Sequence, residues 1–291
     1  MSKDFHTEKE SAQQRAVPPG GSMTWSYVAL NLTSFFILSA CSSMPWSSYT
    51  KEEVVYKTAD SIPLTAEIYR PKSEGLKPAV VVVHGGGWDH RSGDMSGICK
   101  DLASQGFVAF NITYRLAPDH HFPKALEDVN DSIIWLRQHA KAYNVDPEKI
   151  SGWGYSAGAH LILLAGLDPS VGLRGIVAGG TPADLTAWPQ SPIVEKFIGF
   201  KSTERPDLWE QASPVFHVSE QSPPVFMYHG ENDDTVEPDQ MGRMVKAMEA
   251  KGRHVETYTV PYFGHILVYL FSQKSIDLGI EFLKKMTTSK N

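Results

Sequence analysis

Cysteine is nearly missing from this chain. Cys41 and Cys99 are the only two in 291 residues, so no disulfide framework organises it. A basic stripe is missing too. With 27 Lys and Arg against 33 Asp and Glu, the formal net charge is −6, which leaves no run of cations to neutralise nucleic-acid phosphates. Internal repeats and low-complexity tracts are absent, which excludes a repeat array. The apolar stretch within residues 23–41 is interrupted by Asn31, Thr33 and Ser34 and is too short to span a bilayer comfortably. What remains is 42% hydrophobic and 21% charged, an ordinary globular composition. The chain is long enough for one large domain or two small ones around a substantial core.

The N-terminal region reads separately. Residues 1–22 are polar and end in Pro18-Pro19-Gly20-Gly21, the pattern of a disordered extension. Residues 23–41 carry a short apolar segment followed by small residues, as a secretory signal does. Its end, Leu38-Ser39-Ala40-Cys41, resembles a bacterial lipobox, which implies lipidation of Cys41 and a place in the cell envelope at the outer membrane or periplasmic face. The stretch between Met23 and Cys41 has no Lys or Arg, so translation starting at Met1 or at Met23 both stay open, as does a cytoplasmic location. Residues 42–50 read as a tether and 51–291 as the folded domain.

Two alternating segments, Glu53-Val54-Val55-Tyr56-Lys57 and Leu64-Thr65-Ala66-Glu67-Ile68-Tyr69, flank the turn-like Ala59-Asp60-Ser61 and predict an antiparallel hairpin at a sheet edge. Residues 78–84 and 106–112 are continuously apolar, as strands buried on both faces are. Further strands are expected at 149–153, 175–179, 224–229 and 255–260. Helical spacing appears over 124–143, where Leu126, Val129, Ile133, Leu136 and Ala140 share a face, and helices are expected over 239–251 and 266–286. Buried strands alternating with amphipathic helices mean an α/β fold with a mostly parallel central sheet flanked by helices. A Pro- and Trp-rich stretch near 182–216 breaks the rhythm and predicts a short insertion or short helices over the site.

The chemistry concentrates in Gly154-Tyr155-Ser156-Ala157-Gly158, a G-x-S-x-G pattern between a strand and a helix. A serine held at such a turn has a crowded backbone, and glycines two before and two after remove the Cβ atoms that would clash. Ser156 is thereby the candidate nucleophile. The run His84-Gly85-Gly86-Gly87-Trp88 follows a buried strand, where bare backbone N–H groups can approach a developing oxyanion. Gly86 and Gly87, with the N–H of Ala157, form the candidate oxyanion hole, and His84 braces the loop. A serine hydroxyl needs a base, and the base needs an acid to fix its tautomer. His265, on a glycine-loosened loop after the last strand, is the candidate base, whereas His160 points along its helix into the core. The acid comes from Asp233 or Asp234, which point in different directions, and Asp233 is favoured. Trp88, Tyr155 and Trp188 are candidate pocket walls.

Taken together these stretches, with Tyr114-Arg115-Leu116-Ala117-Pro118 and His229-Gly230-Glu231-Asn232-Asp233, resemble the α/β-hydrolase family, and within it the hormone-sensitive-lipase-like and esterase/lipase branch. Tyr155 and Ala159-His160 resemble acetyl- and feruloyl-type esterases and kynurenine formamidases. The resemblance covers about residues 51–287. It implies a structural role for Arg115 and a serine carboxylesterase acting on small esters, with no metal or organic cofactor. An amidase or peptidase on the same triad and a non-catalytic binding module are the alternatives. The expected partner is a small-molecule ester, with no nucleic acid, and with membrane contact only through Cys41. Nothing in the sequence signals the oligomeric state.

Overall fold

The computed structural model describes residues 48–288. The N-terminal extension, the signal-peptide reading with Cys41, and all but the end of the tether lie outside the described residues. No helix among the described residues is long and apolar enough to cross a membrane.

Eight strands form one sheet: β1 (Tyr49–Ala59), β2 (Ile62–Pro71), β3 (Lys77–Val83), β4 (Val108–Ile112), β5 (Val145–Tyr155), β6 (Ile176–Gly179), β7 (Val225–Gly230) and β8 (Val255–Val260). Their order is β1-β2-β4-β3-β5-β6-β7-β8. Every pair from β4 to β8 is parallel, while β1–β2 and β2–β4 are antiparallel. The hairpin expected at one edge is therefore present. Ala59 faces Ile62, and Asp60 and Ser61 between them have φ of 50° and 64°. Two left-handed residues match the right-handed twist of the flanking strands, which is why short polar residues occupy this turn.

β3 explains why its sequence is apolar without interruption. Ala79, Val81 and Val83 enter one core cluster, with residues of α2 (Lys124–Gln138) and α3 (Ala157–Leu167). Val80 and Val82 enter another, with residues of α1 (Ser96–Ser104) and α8 (Gln273–Thr288). Successive side chains point to opposite faces, and both faces are covered. α3 is buried along its whole length, so it is apolar all round rather than amphipathic.

Two helical expectations are corrected. The helix over 124–143 stops at Gln138 and tightens into a 3-10 turn, Ala140–Tyr143. Its terminal His139 stacks on Trp135 and bonds that residue's carbonyl through Nδ1 (2.8 Å). The helix over 266–286 is two helices, α7 (His265–Phe271) and α8, parted at Ser272. Ser272 leaves helical geometry at ψ 69°, its Oγ pairs with Ser275 Oγ (2.6 Å) and its carbonyl accepts the Ser275 N–H, a local alternative to continuing the helix. α1 went unread because it is short and contains Gly97. The remaining helix of the sheet layers, α6 (Asp239–Ala250), ends before Gly252 as expected. The segment 182–216 folds into 3-10 turns at Leu185–Ala187 and Pro214–His217 and two short helices, α4 (Pro192–Ile198) and α5 (Pro206–Gln211). Each short helix opens on a proline, whose fixed φ and missing N–H suit a first helical position.

Candidate active site

Ser156 stands between the last residue of β5 and the first of α3, with φ 54° and ψ −124°. A non-glycine residue in that region is strained and persists only where its surroundings fix it. The Ser156 N–H donates to the Gly179 carbonyl of β6 (2.8 Å), and its own carbonyl accepts the His160 N–H (3.0 Å). A Cβ on Gly154 would collide with the backbone of Gly158 and Ala159, and a Cβ on Gly158 with the carbonyl of Val83. Strand and helix can cross this closely only with glycine at both places. The N-terminus of the eleven-residue α3, with its free N–H groups and positive dipole end, lies at the serine.

The glycine run leaves β3 beside this turn. Gly86 and Gly87 have φ of 121° and 56°, and a Cβ on Gly86 would strike the carbonyl of His90. Trp88 follows with φ 63° and is buried, stacked on Phe197 of α4 (centroids 4.5 Å apart). Its indole N–H donates to His160 Nδ1 (3.1 Å), so His160 donates through Nε2 to the Ala212 carbonyl (2.6 Å). His160 thus joins the nucleophile's helix, the glycine loop and the insertion, and burial pushes its pKa down to about 4. His84 also titrates near 4, lowered by burial, while its Nδ1 donates to the Gly85 carbonyl (2.8 Å) and its ring stacks on Tyr114. Arg115 is held by Asp128 (2.8 Å) and Asp60 (2.7 Å), away from the glycine loop.

His265 opens α7, one residue after Gly264, so it sits at a helix start rather than on a loop. Its Nδ1 donates to Asp233 Oδ2 (2.7 Å). The ring lies over Gly180, the residue after the Ser156 acceptor Gly179, where a Cβ would meet its Cε1 at 2.8 Å. Tyr155 packs against the ring and donates its hydroxyl to the His265 carbonyl (2.6 Å). Asp233 is buried; its Oδ1 accepts the N–H groups of Val236 (2.9 Å) and Thr235 (3.1 Å), and its Oδ2 also meets His229 Nε2 (3.2 Å). Burial alone would raise its pKa, but the His229, His265 and Val236 donors outweigh that and hold it well below the usual carboxylate range. Asp234 is exposed.

A cavity of about 910 Å³ joins these parts. Gly86, Gly87, Trp88, Tyr155, Ser156, Ala157, Trp188 and His265 all line it, while Asp233 lies behind His265 and does not. Sequence reasoning missed Ile193, Tyr269, Leu270 and Glu237 in the wall. Tyr269 and Leu270 follow His265 within one helix and were readable as its face, while Ile193 and Glu237 carried no signal. Among the described residues, no cluster of three or more His, Cys, Asp or Glu is arranged to hold a metal ion.

A mostly parallel eight-stranded sheet carrying a serine at a strand-to-helix turn is the α/β-hydrolase fold of the esterase group. The family model described as BD-FAE matches residues 66–248, more than half of the chain, and the chain belongs to that family. Esterase LipC of Mycobacterium tuberculosis is 30% identical over 224 residues, 68% of this chain and 56% of that protein. Arylacetamide deacetylase of Oryctolagus cuniculus is 35% identical over 144 residues, 47% of this chain and 35% of that protein. The chain spans about half the length, or less, of these curated relatives. Among solved structures, Thermogutta terrifontis esterase 2 phosphonylated by sarin superposes with a TM-score of 0.74 at 25% identity, covering 85% of this chain and 99% of that one. The same esterase has a propionate-bound structure.

Proposed function

We propose that the protein is a serine carboxylesterase acting on small esters. The observation that carries the reading is the 2.7 Å bond from His265 Nδ1 to a buried Asp233 carboxylate, with the imidazole in the same cavity as Ser156 on its strained turn. Asp233 keeps the His265 proton on Nδ1 and leaves Nε2 free to accept the Ser156 proton as Oγ attacks the ester carbonyl. The N–H groups of Gly86, Gly87 and Ala157 receive the oxyanion. His265 then protonates the departing alcohol, and water, activated by the same imidazole, cleaves the acyl-enzyme and regenerates Ser156. The esterase names among the relatives, and a propionate complex in one of them, support a small acyl group. The reaction needs neither metal nor organic cofactor.

Ser156→Ala tests this. The variant should fold like the parent, lose turnover of p-nitrophenyl acetate and butyrate, and no longer label with a fluorophosphonate probe; retained turnover overturns the assignment. The arylacetamide deacetylase match favours amides as a second substrate class. Comparison of kcat/KM for an aryl acetate and its acetanilide counterpart decides between the two. The lipobox-like Leu38-Ser39-Ala40-Cys41 supports a lipid anchor in a bacterial envelope, and palmitate labelling that survives Cys41→Ser removes that claim.

A further inference from the structure

The charge around the cavity is one-sided. Among the described residues lining it there is no lysine or arginine, and Glu237 is the only carboxylate. Its Oε2 accepts the indole N–H of Trp188 (2.8 Å), which fixes an anion beside an aromatic wall. His90 also lines the cavity, but its imidazole is bound to Asp89 (2.6 Å), whose other oxygen pairs with Lys196 (2.8 Å). Lys196 is thus matched by Asp89, and Arg91 next to His90 donates to the Asp94 carbonyl (3.5 Å) and is not part of the wall, while Glu237 has no cation in the wall to offset it.

From this arrangement we infer that Glu237 filters substrates by charge, so that the site takes neutral and cationic esters and rejects those bearing a carboxylate. The inference rests on the esterase reading and adds the substrate class to it. Two effects act together. A substrate carboxylate entering this mostly apolar cavity loses hydration and finds no cation to replace it. It is also repelled by Glu237. A cationic group gains both the carboxylate and the Trp188 ring, whose face attracts cations. Hydrolysis then creates a carboxylate at Ser156, so the same charge that excludes anionic esters helps expel the acid product.

Three acetates that differ in charge test it: 4-acetoxybenzoate, 4-acetoxybenzamide and 4-acetoxyphenyltrimethylammonium. p-Nitrophenyl hexanoate and mono-p-nitrophenyl adipate serve as the acyl-side pair. The parent enzyme should rank cation above neutral above anion in kcat/KM. Glu237→Gln keeps an acceptor for the Trp188 N–H and removes only the charge. It should narrow the anion–neutral and cation–neutral gaps by about tenfold in all, the size expected of removing one unit charge from the wall at an intermediate effective dielectric. In the parent, 0.5 M NaCl should narrow the same gaps by screening, a measurement that needs no variant. Ratios that stay within twofold in both experiments, with neutral esters still turned over, overturn the filter and leave the esterase reading intact. No turnover of any neutral ester by the parent overturns both.

Discussion

Replacing Asp233 by Asn changes one atom and should stop the enzyme, for a reason that follows from counting donors. Four groups aim N–H bonds at this carboxylate: the backbones of Val236 and Thr235 at Oδ1, and His265 Nδ1 and His229 Nε2 at Oδ2. The backbone donors cannot turn away, so the Asn carbonyl oxygen must face them and its NH₂ must face the two imidazoles. His229 keeps its bond to the Val236 carbonyl (2.7 Å). His265 has only one way to avoid a donor facing a donor: its proton moves to Nε2, the nitrogen that receives the Ser156 proton in the proposed mechanism. A wrong tautomer at such a base costs about 10⁴-fold in kcat, or about 5 kcal/mol of barrier. The reverse amide orientation sets NH₂ against two buried backbone N–H groups and is worse. The assay is kcat for p-nitrophenyl butyrate, with circular dichroism confirming the fold, and Asp234→Asn as the partner variant. Asp234 is exposed, so its change should stay within about twofold. A folded Asp233→Asn protein within tenfold of the parent, or a larger loss at Asp234, refutes the reasoning. The pH dependence is a second readout. A carboxyl whose folded pKa is depressed adds stability that is fully present above its unfolded value, about 4, and is lost as pH falls below that. Asp233 is such a group, so the parent should lose stability between pH 4 and 2 more steeply than Asp233→Asn.

Trp88→Phe keeps the stack on Phe197 but removes the donor to His160 Nδ1, leaving a buried acceptor unpaired; stability should fall by about 1–3 kcal/mol in urea melts, and kcat should fall with it because the loop carrying Gly86 and Gly87 loosens. An unchanged melt would mean the indole bond contributes nothing. Gly158→Ala drives a Cβ into the carbonyls of Val83 and His84, which neither strand nor helix can yield cheaply. It should cost about 3 kcal/mol, a Tm drop of roughly 6–12 °C for a domain of this size, and a drop under 2 °C would refute the crowding argument.

Sterics made much of the site legible in the sequence. A serine turn between β5 and α3 tolerates only glycine at 154 and 158, and the glycine loop after β3 tolerates no Cβ at 86, so residue type alone betrayed geometry. The all-valine run of β3 is equally forced, since both of its faces are buried. Asp233 and Asp234 were harder to separate because composition treats them alike; only the turn that buries one and exposes the other distinguishes them. The break at Ser272 was hidden for the opposite reason. Apolar spacing continues through it, and a single serine pair decides that two helices form in place of one. Glu237 gave no signal either, because its partner Trp188 lies 49 positions away and its role depends on which side chains the fold leaves out of the cavity wall.

The loop after β7 ties these levels together. Asp233 Oδ1 accepts the N–H groups of Thr235 and Val236, His229 Nε2 holds the Val236 carbonyl, and Val236 is buried. The residue after Val236, Glu237, is exposed and lines the cavity. Four positions separate a carboxylate turned inward to hold His265 from one turned outward to hold Trp188. The bonds that fix the first also position the second, so the orientation of the proposed base and the placement of the Glu237 charge are set by one turn. The proposed proton-transfer site and the proposed charge filter therefore share one turn, and a substitution that unwinds it should disturb both together.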